Sequence, residues 1–111
     1  MLPKKFRLPA EEFRGQYQKG KKVRGKYGMF VISDNEVGNP RFGFVVSKKI
    51  GNAVTRNRMT RLLRATVMDV VNEKNLSGLS KDFQYIAFEF CNKKSLLQKE
   101  MSLQIERSLN D

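Results

Sequence analysis

Histidine is absent from all 111 residues. With it go the commonest general acid-base side chain and the commonest zinc ligand. Cysteine occurs once, at Cys91, with no partner for an internal disulfide and no CxxC neighbour, so it reads as a core or strand residue. No apolar run approaches the ~20 residues that a bilayer-crossing helix needs. The N-terminal stretch MLPKKFRLPAEEF is basic, but no apolar segment follows its lysines. That argues against a secretory signal and leaves a cytoplasmic location as the expectation. Carboxylates are scattered apart from Glu11 and Glu12, and adjacent helical residues point about 100° apart, a poor arrangement for sharing a metal or a proton. Acids at a helix start are the better reading of that pair. Phosphate-cradling GxxxxGK[ST], a nucleophile elbow and GxGxxG are all missing. If the chain takes part in catalysis, it is not expected to carry the chemistry itself.

Acids are also missing where bases are dense. Net charge is +11. Residues 1–64 hold 16 Lys/Arg against 4 Asp/Glu, whereas residues 65–111 hold 6 against 7. The whole excess sits in the first part of the chain, and no carboxylate lies between Glu36 and Asp69. A charge that served only solubility would be spread out; this asymmetry points to a polyanionic partner, nucleic acid or an anionic membrane surface. Hydrophobic residues make up 40% and charged residues 30%, the balance of a globular fold rather than a disordered chain. The length suits a single domain over residues 1–111 with one core.

The segment LPAEEFRGQYQKG reads as a short first helix, with Pro9 near its start, the two glutamates in its first turn and Gly20 after its end. Phe13 and Tyr17, four apart, share one of its faces. KVRGKYGMFVISDN is a strand carrying Tyr27, Met29 and Val31 on one side and Phe30 and Ile32 on the other. Gly25 and Gly28 inside it mark a bulge, a close backbone approach or a break into two strands. RFGFVVSKK is the next strand, and a long helix follows from about Val54 to Glu73, with Met59, Leu62, Leu63, Thr66, Val67, Val70 and Val71 toward the core. DFQYIAFEF is a further strand. Leu97, Met101, Ile105 and Leu109 recur every four residues in a closing helix. The expected order is α-β-β(-β)-α-β-α, an α/β (α+β, two-layer) arrangement. The helix between two strands implies a parallel pair, hence a mixed sheet covered by helices.

The long helix also has a second face. Projected at about 100° per residue, Asn57, Arg58, Arg61 and Arg64 fall opposite the apolar set, while Arg56 lies near the boundary in the first turn. A solvated helix face normally pairs its cations with acids at i,i+4, and here there are none to pair. Arginine adds a planar fork suited to phosphate and to stacking on bases. A duplex-DNA reader would need a second short helix at helix-turn-helix spacing, and a membrane-surface helix would need the apolar face that the core requires. RNA, with phosphates in irregular shapes, fits this ridge better.

The stretch FGFVVSKKIGNAVTRNRMTRLLRATV, with Arg56-Asn57-Arg58 at its centre, closely resembles the signature of the bacterial ribonuclease P protein family. EEFRGQYQKGKKV is similar to that family's first helix and turn, and DFQYIAFEF with the closing helix is similar to its last strand and helix. The resemblance implies a compact domain with a left-handed β-α-β crossover, like a domain of a small-subunit ribosomal protein (S5 domain 2). It also implies a function. The protein would assist a larger catalytic RNA that removes the 5′ leader of precursor tRNA using Mg²⁺, the metal being bound mainly by RNA, and no membrane or further protein partner would be required. By position, Lys48, Lys49, Asn52, Arg56, Asn57, Arg58, Arg61 and Arg64 match the family's RNA-facing motif. Phe13 and Tyr17 match the aromatics bordering the leader cleft, with Val31 and Ser47 on or near its floor.

An aromatic platform flanked by cations suits unpaired bases without sequence demand, although ordinary helix packing would also account for Phe13 and Tyr17. If Lys48 and Lys49 still lie in a strand, they alternate sides and one alone reaches RNA. The family's last strand commonly ends in Ala-Arg, whereas here Phe88 and Glu89 follow Ala87, so a basic contact at that end of the cleft is missing or supplied from elsewhere. Two other readings remain: a general RNA-binding or ribosome-associated module, and a self-sufficient nuclease, against which the lack of histidines and carboxylate clusters argues.

Overall fold

The computed structural model describes residues 2–110, so Met1 and Asp111, the ends of the span expected for one domain, lie outside it. Helix α1 (Phe13–Lys19) is preceded by a 3-10 turn at Ala10–Glu12 and ends at Gly20. Strands β1 (Lys21–Arg24), β2 (Gly28–Asp34) and β3 (Arg41–Val45) follow, then helix α2 (Ala53–Lys74), strand β4 (Lys81–Ala87) and helix α3 (Lys94–Asn110). The four strands form one mixed sheet in the order β1-β2-β4-β3. Strand β2 is antiparallel to β1 and β4, whereas β3 runs parallel to β4, the pair joined through α2 as expected.

The glycine-containing first strand is two strands. Gly25 N donates to Gly28 O at 2.9 Å and closes a hairpin around Lys26 and Tyr27. No bulge is involved; the glycines are there for close approach, since a Cβ on Gly28 would stand 2.6 Å from Tyr85 Oη. The Glu100 carboxylate of α3 accepts from the turn's Lys26 and Tyr27 N–H groups and ties the hairpin to that helix.

Alternation sorts the sheet into two faces. Val23, Phe30, Ile32, Phe42, Phe83 and Tyr85 belong to the main hydrophobic cluster, where Phe30 meets Phe83 and Tyr85 edge-on at 5.8 and 5.1 Å and Phe42 stacks on Phe83 at 5.1 Å. Helix α2 seals this face with Met59, Leu63, Val67 and Val70, and α3 with Leu97, Met101 and Ile105, all fully buried. Each such side chain contributes about 1.5–3 kcal/mol by leaving water. Leu62 is only partly buried at the edge of the cluster. Leu109, the last of the residues that recur every four along α3, is 38% exposed. A four-residue step overshoots a full turn by about 40°, so the row has rotated off the sheet by the last leucine. Gln104 enters the core instead, its Nε2 donating to Val23 O at 2.9 Å and Gly28 O at 3.1 Å. Cys91 is buried and free.

Strand β3 is shorter than its sequence reads. It stops at Val45, and Lys48–Ile50 form a 3-10 turn before Gly51, whose φ of 151° is one that glycine alone adopts readily. Asn52 then caps α2, its Oδ1 accepting from Thr55 N at 2.9 Å. The helix stops at Asn75 in the left-handed conformation.

Candidate nucleic-acid interface

The outer face of α2 is as the pattern predicts. Asn57, Arg58, Arg61 and Arg64 are exposed, and Lys48, Lys49 and Asn52 stand exposed around the helix N-terminus. The two lysines do not alternate, because they lie in the 3-10 turn and not in a strand. Arg56 is half-buried, and its buried Nε has no hydrogen-bond partner. Asn52 has a structural duty at the cap that the motif does not reveal.

Ion pairs among the described residues join Arg41 to Glu12 and Asp82, Lys74 to Glu106, Lys81 to Asp34 and Lys94 to Asp69. None takes up an arginine of the ridge. The first acid along α2, Asp69, is thus committed to Lys94 of α3. No acidic residue occupies the first turn of α2, so the positive end of its dipole adds to the lysines instead of being offset. Arg41 is spent internally: Asp82 accepts from its Nε at 2.8 Å and its Nη2 at 2.9 Å, and this pairing raises the guanidinium pKa above its ordinary value. The hydrogen bond from Lys81 holds the Asp34 carboxyl below the usual range.

The second site forms on the opposite face of the sheet, where α1 lies. Gln16 anchors the helix there: its buried Nε2 donates to Val31 O at 2.7 Å and Asp82 O at 3.2 Å, and Gln84 Nε2 returns a bond to Phe13 O at 3.1 Å. The Phe13 ring lies directly over Gly43 of β3, where a Cβ would stand 2.3 Å from it. Phe13 is therefore half-buried packing, whereas Tyr17 is 41% exposed, with Lys22 Nζ 4.4 Å from its ring centre. Ser47 is exposed just after β3.

Val31 is not a floor residue. It is fully buried under α1, with Gly20 close above it. In register terms α1 covers the row Lys22-Val31-Gln84-Gly43, and the next row on the same face, Arg24-Met29-Ile86-Val45, runs beside the helix. Ile86 and Val45 in that row are half-exposed. Alternation along DFQYIAF and RFGFV carried the signal for them, but locating them needs the strand register.

The two sites meet. A cavity of about 390 Å³ opens between the N-terminal segment, α1, β3 and α2, lined among others by Arg7, Phe13, Phe44, Thr60 and Arg64. A ridge arginine and a cleft aromatic thus share one depression. No cluster of three or more His, Cys, Asp or Glu able to hold a metal ion occurs among the described residues, and no helix among them is long and apolar enough to cross a membrane.

Comparison with known proteins gives this arrangement its setting. The family profile described as Ribonuclease P matches residues 2–107. The ribonuclease P protein component of Bacillus cereus is 36% identical over 104 residues, covering 92% of this chain and 88% of the relative. That of Syntrophomonas wolfei is 44% identical over 70 residues, an alignment spanning 62% of this chain and 59% of that protein. Among solved structures, the Staphylococcus aureus RNase P protein superposes with a TM-score of 0.75 at 25% identity, covering 93% of this chain and 94% of that one. The Thermotoga maritima RNase P protein, at 20% identity and a TM-score of 0.75, covers 91% and 96% and shares the fold. With nearly the whole chain matched in both sequence and fold, it belongs to the ribonuclease P protein family.

Proposed function

We propose that this chain is the protein subunit of ribonuclease P, binding the catalytic RNA through α2 and holding the 5′ leader of precursor tRNA beside α1. The observation that carries the reading is the guanidinium face of α2: four exposed polar positions, three of them arginine, without a carboxylate partner among the described residues. Such a face is self-repelling until an external polyanion neutralises it. Asn57, Arg58, Arg61 and Arg64 lie on folded RNA, with Lys48 and Lys49 tracking its backbone and Arg56 reaching from the boundary. Tyr17, Phe13 and Ser47 border the leader path, whose floor is the half-exposed pair Val45 and Ile86.

Two physical effects follow. Cations along α2 offset phosphate repulsion where the catalytic RNA and its substrate crowd together. Contacts to the leader add binding free energy that mature tRNA, lacking a leader, does not receive. The carboxylates among the described residues form no cluster able to hold a divalent cation, which supports leaving the Mg²⁺ that serves the cleavage to the RNA. The site of action is the cytoplasm, and no second protein is needed.

Mixing the protein with a bacterial ribonuclease P RNA at low Mg²⁺ and following cleavage of precursor tRNA tests the reading. Stimulation that requires the RNA supports it. Cleavage by the protein alone would make it a nuclease, and no effect in either case would leave a general RNA-binding module.

A further inference from the structure

Beside Tyr17 and Lys22 stands a second pairing of the same kind. The Arg24 guanidinium carbon is 4.8 Å from the centre of the Phe88 ring. Lys22 and Arg24 are two residues apart on β1, so both side chains leave the α1-bearing face of the sheet, about 7 Å from each other. Arg24 Nη1 also lies 4.0 Å from Met29 Sδ, its register partner on β2. Arg24 is exposed, Phe88 is half-exposed, and neither Lys22 nor Arg24 joins any ion pair found among the described residues.

Charge on an edge strand serves in any protein to keep other strands from pairing with it. Lysines pointing into water would be enough for that. Here the Lys22 ammonium and the Arg24 guanidinium are each laid over an aromatic ring. For Arg24 this orients the guanidinium plane, and with Nη1 turned to Met29 Sδ its Nε and Nη2 groups have no hydrogen-bond partner among the described residues. The pair sits at the end of the apolar row Val45-Ile86-Met29, in which Val45 and Ile86 are half-exposed and Met29 is buried, at the opposite edge of the sheet from Ser47.

We propose that Arg24 and Phe88 form the far end station for a single RNA strand crossing this face: Phe88 and the guanidinium plane take an unpaired base, and the guanidinium edge takes its phosphate. The strand is the 5′ leader, so the proposal rests on the leader reading above. It adds a binding position on β1, supplied by residues outside the ridge and outside α1. From β3 to β1 the path spans three interstrand steps, about 14 Å. At about 3.4 Å per stacked nucleotide that is roughly four nucleotides. A leader of about 2 nucleotides stops short of Arg24, and one of about 8 passes it.

The test uses the holoenzyme and measures affinity for precursor tRNAs carrying these two leader lengths. For Arg24→Gln the advantage of the long leader over the short one should fall about 5- to 10-fold, the size of one lost stacking or phosphate contact. Phe88→Leu should reduce the same ratio, with melting of the free protein showing that the fold is intact. An unchanged ratio for Arg24→Gln, or equal losses for both leaders, would overturn the proposal. Tyr17→Ala, run in parallel, separates the two levels of inference. If Tyr17→Ala reduces the ratio while Arg24→Gln does not, the leader reading stands and the β1 station falls. If neither variant reduces it, both fall.

Discussion

Arg61 is the plainest residue on which to test the ridge, being exposed, in mid-helix and bound only weakly to its own helix through Asn57 O at 3.5 Å. Arg61→Ala should lower the slope of log affinity for the RNA subunit against log salt by about one unit, as for the loss of one neutralised phosphate. A filter-binding salt series measures this, and an unchanged slope would remove Arg61 from the contact set. At the cleft the two aromatics should separate. Tyr17→Ala should weaken precursor binding by about 1–3 kcal/mol, spare mature tRNA and leave the melting temperature close to wild type. Phe13→Ala should also lower stability, because its ring fills the space above Gly43. Precursor and mature affinities beside thermal melts distinguish the two. The contrast was illegible in the sequence, where Phe13 and Tyr17 form one i,i+4 pair; only Gly43, on a different strand, tells them apart. Val31 failed for the same reason. Alternation gives its face, but which row α1 covers depends on Gln16 and its bonds to two strands.

At the scale of elements, α2 was the most legible part of the molecule, because a 3.6-residue period over many turns averages out single ambiguities. What lay just before it was not. RFGFVVSKK keeps a strand-like composition through Lys49, yet Gly51 with its positive φ and the capping Asn52 turn the backbone early. Both lysines thereby reach the ridge. Asn52 matched an RNA-binding motif by position, and its observed work is capping. Asn52→Ala should destabilise the free protein by about 1 kcal/mol in urea unfolding, whatever it does to RNA affinity. Asn52→Ser should recover most of that stability; failure of both effects would deny the cap an energetic role. The hairpin of β1 and β2 shows the complementary limit. Two glycines flagged an irregularity, and the choice between bulge and turn was made by partners far along the chain, Tyr85 and Glu100.

For the whole molecule the decisive quantity is where the charge sits. Internal ion pairs draw on acids of the turn before α1, of β2, α2, β4 and α3, leaving the arginines of α2's outer face and Lys22 and Arg24 of β1 without an ion pair among those found between described residues. Folding brings these like charges together, so the free protein carries a repulsive penalty that a bound anion relieves. Thermal melts in sulfate should rise by several degrees over melts in chloride of equal ionic strength, and a shift of the same size in both salts would leave screening as the sole effect. The charge imbalance between the two parts of the chain was fully readable from composition. Its division into an α2 ridge and a β1 edge on opposite sides of the sheet was not, since strand order is a property of the fold.

Helix α2 closes the hydrophobic interior with one side and offers its arginines with the other. Opening that interior must therefore also dissolve the RNA contact, and occupying the contact must hold the interior shut. Copies left without RNA would expose their backbone to proteases more often than assembled ones. Turnover of the orphan subunit would then trim its amount to that of its RNA, with no dedicated regulator.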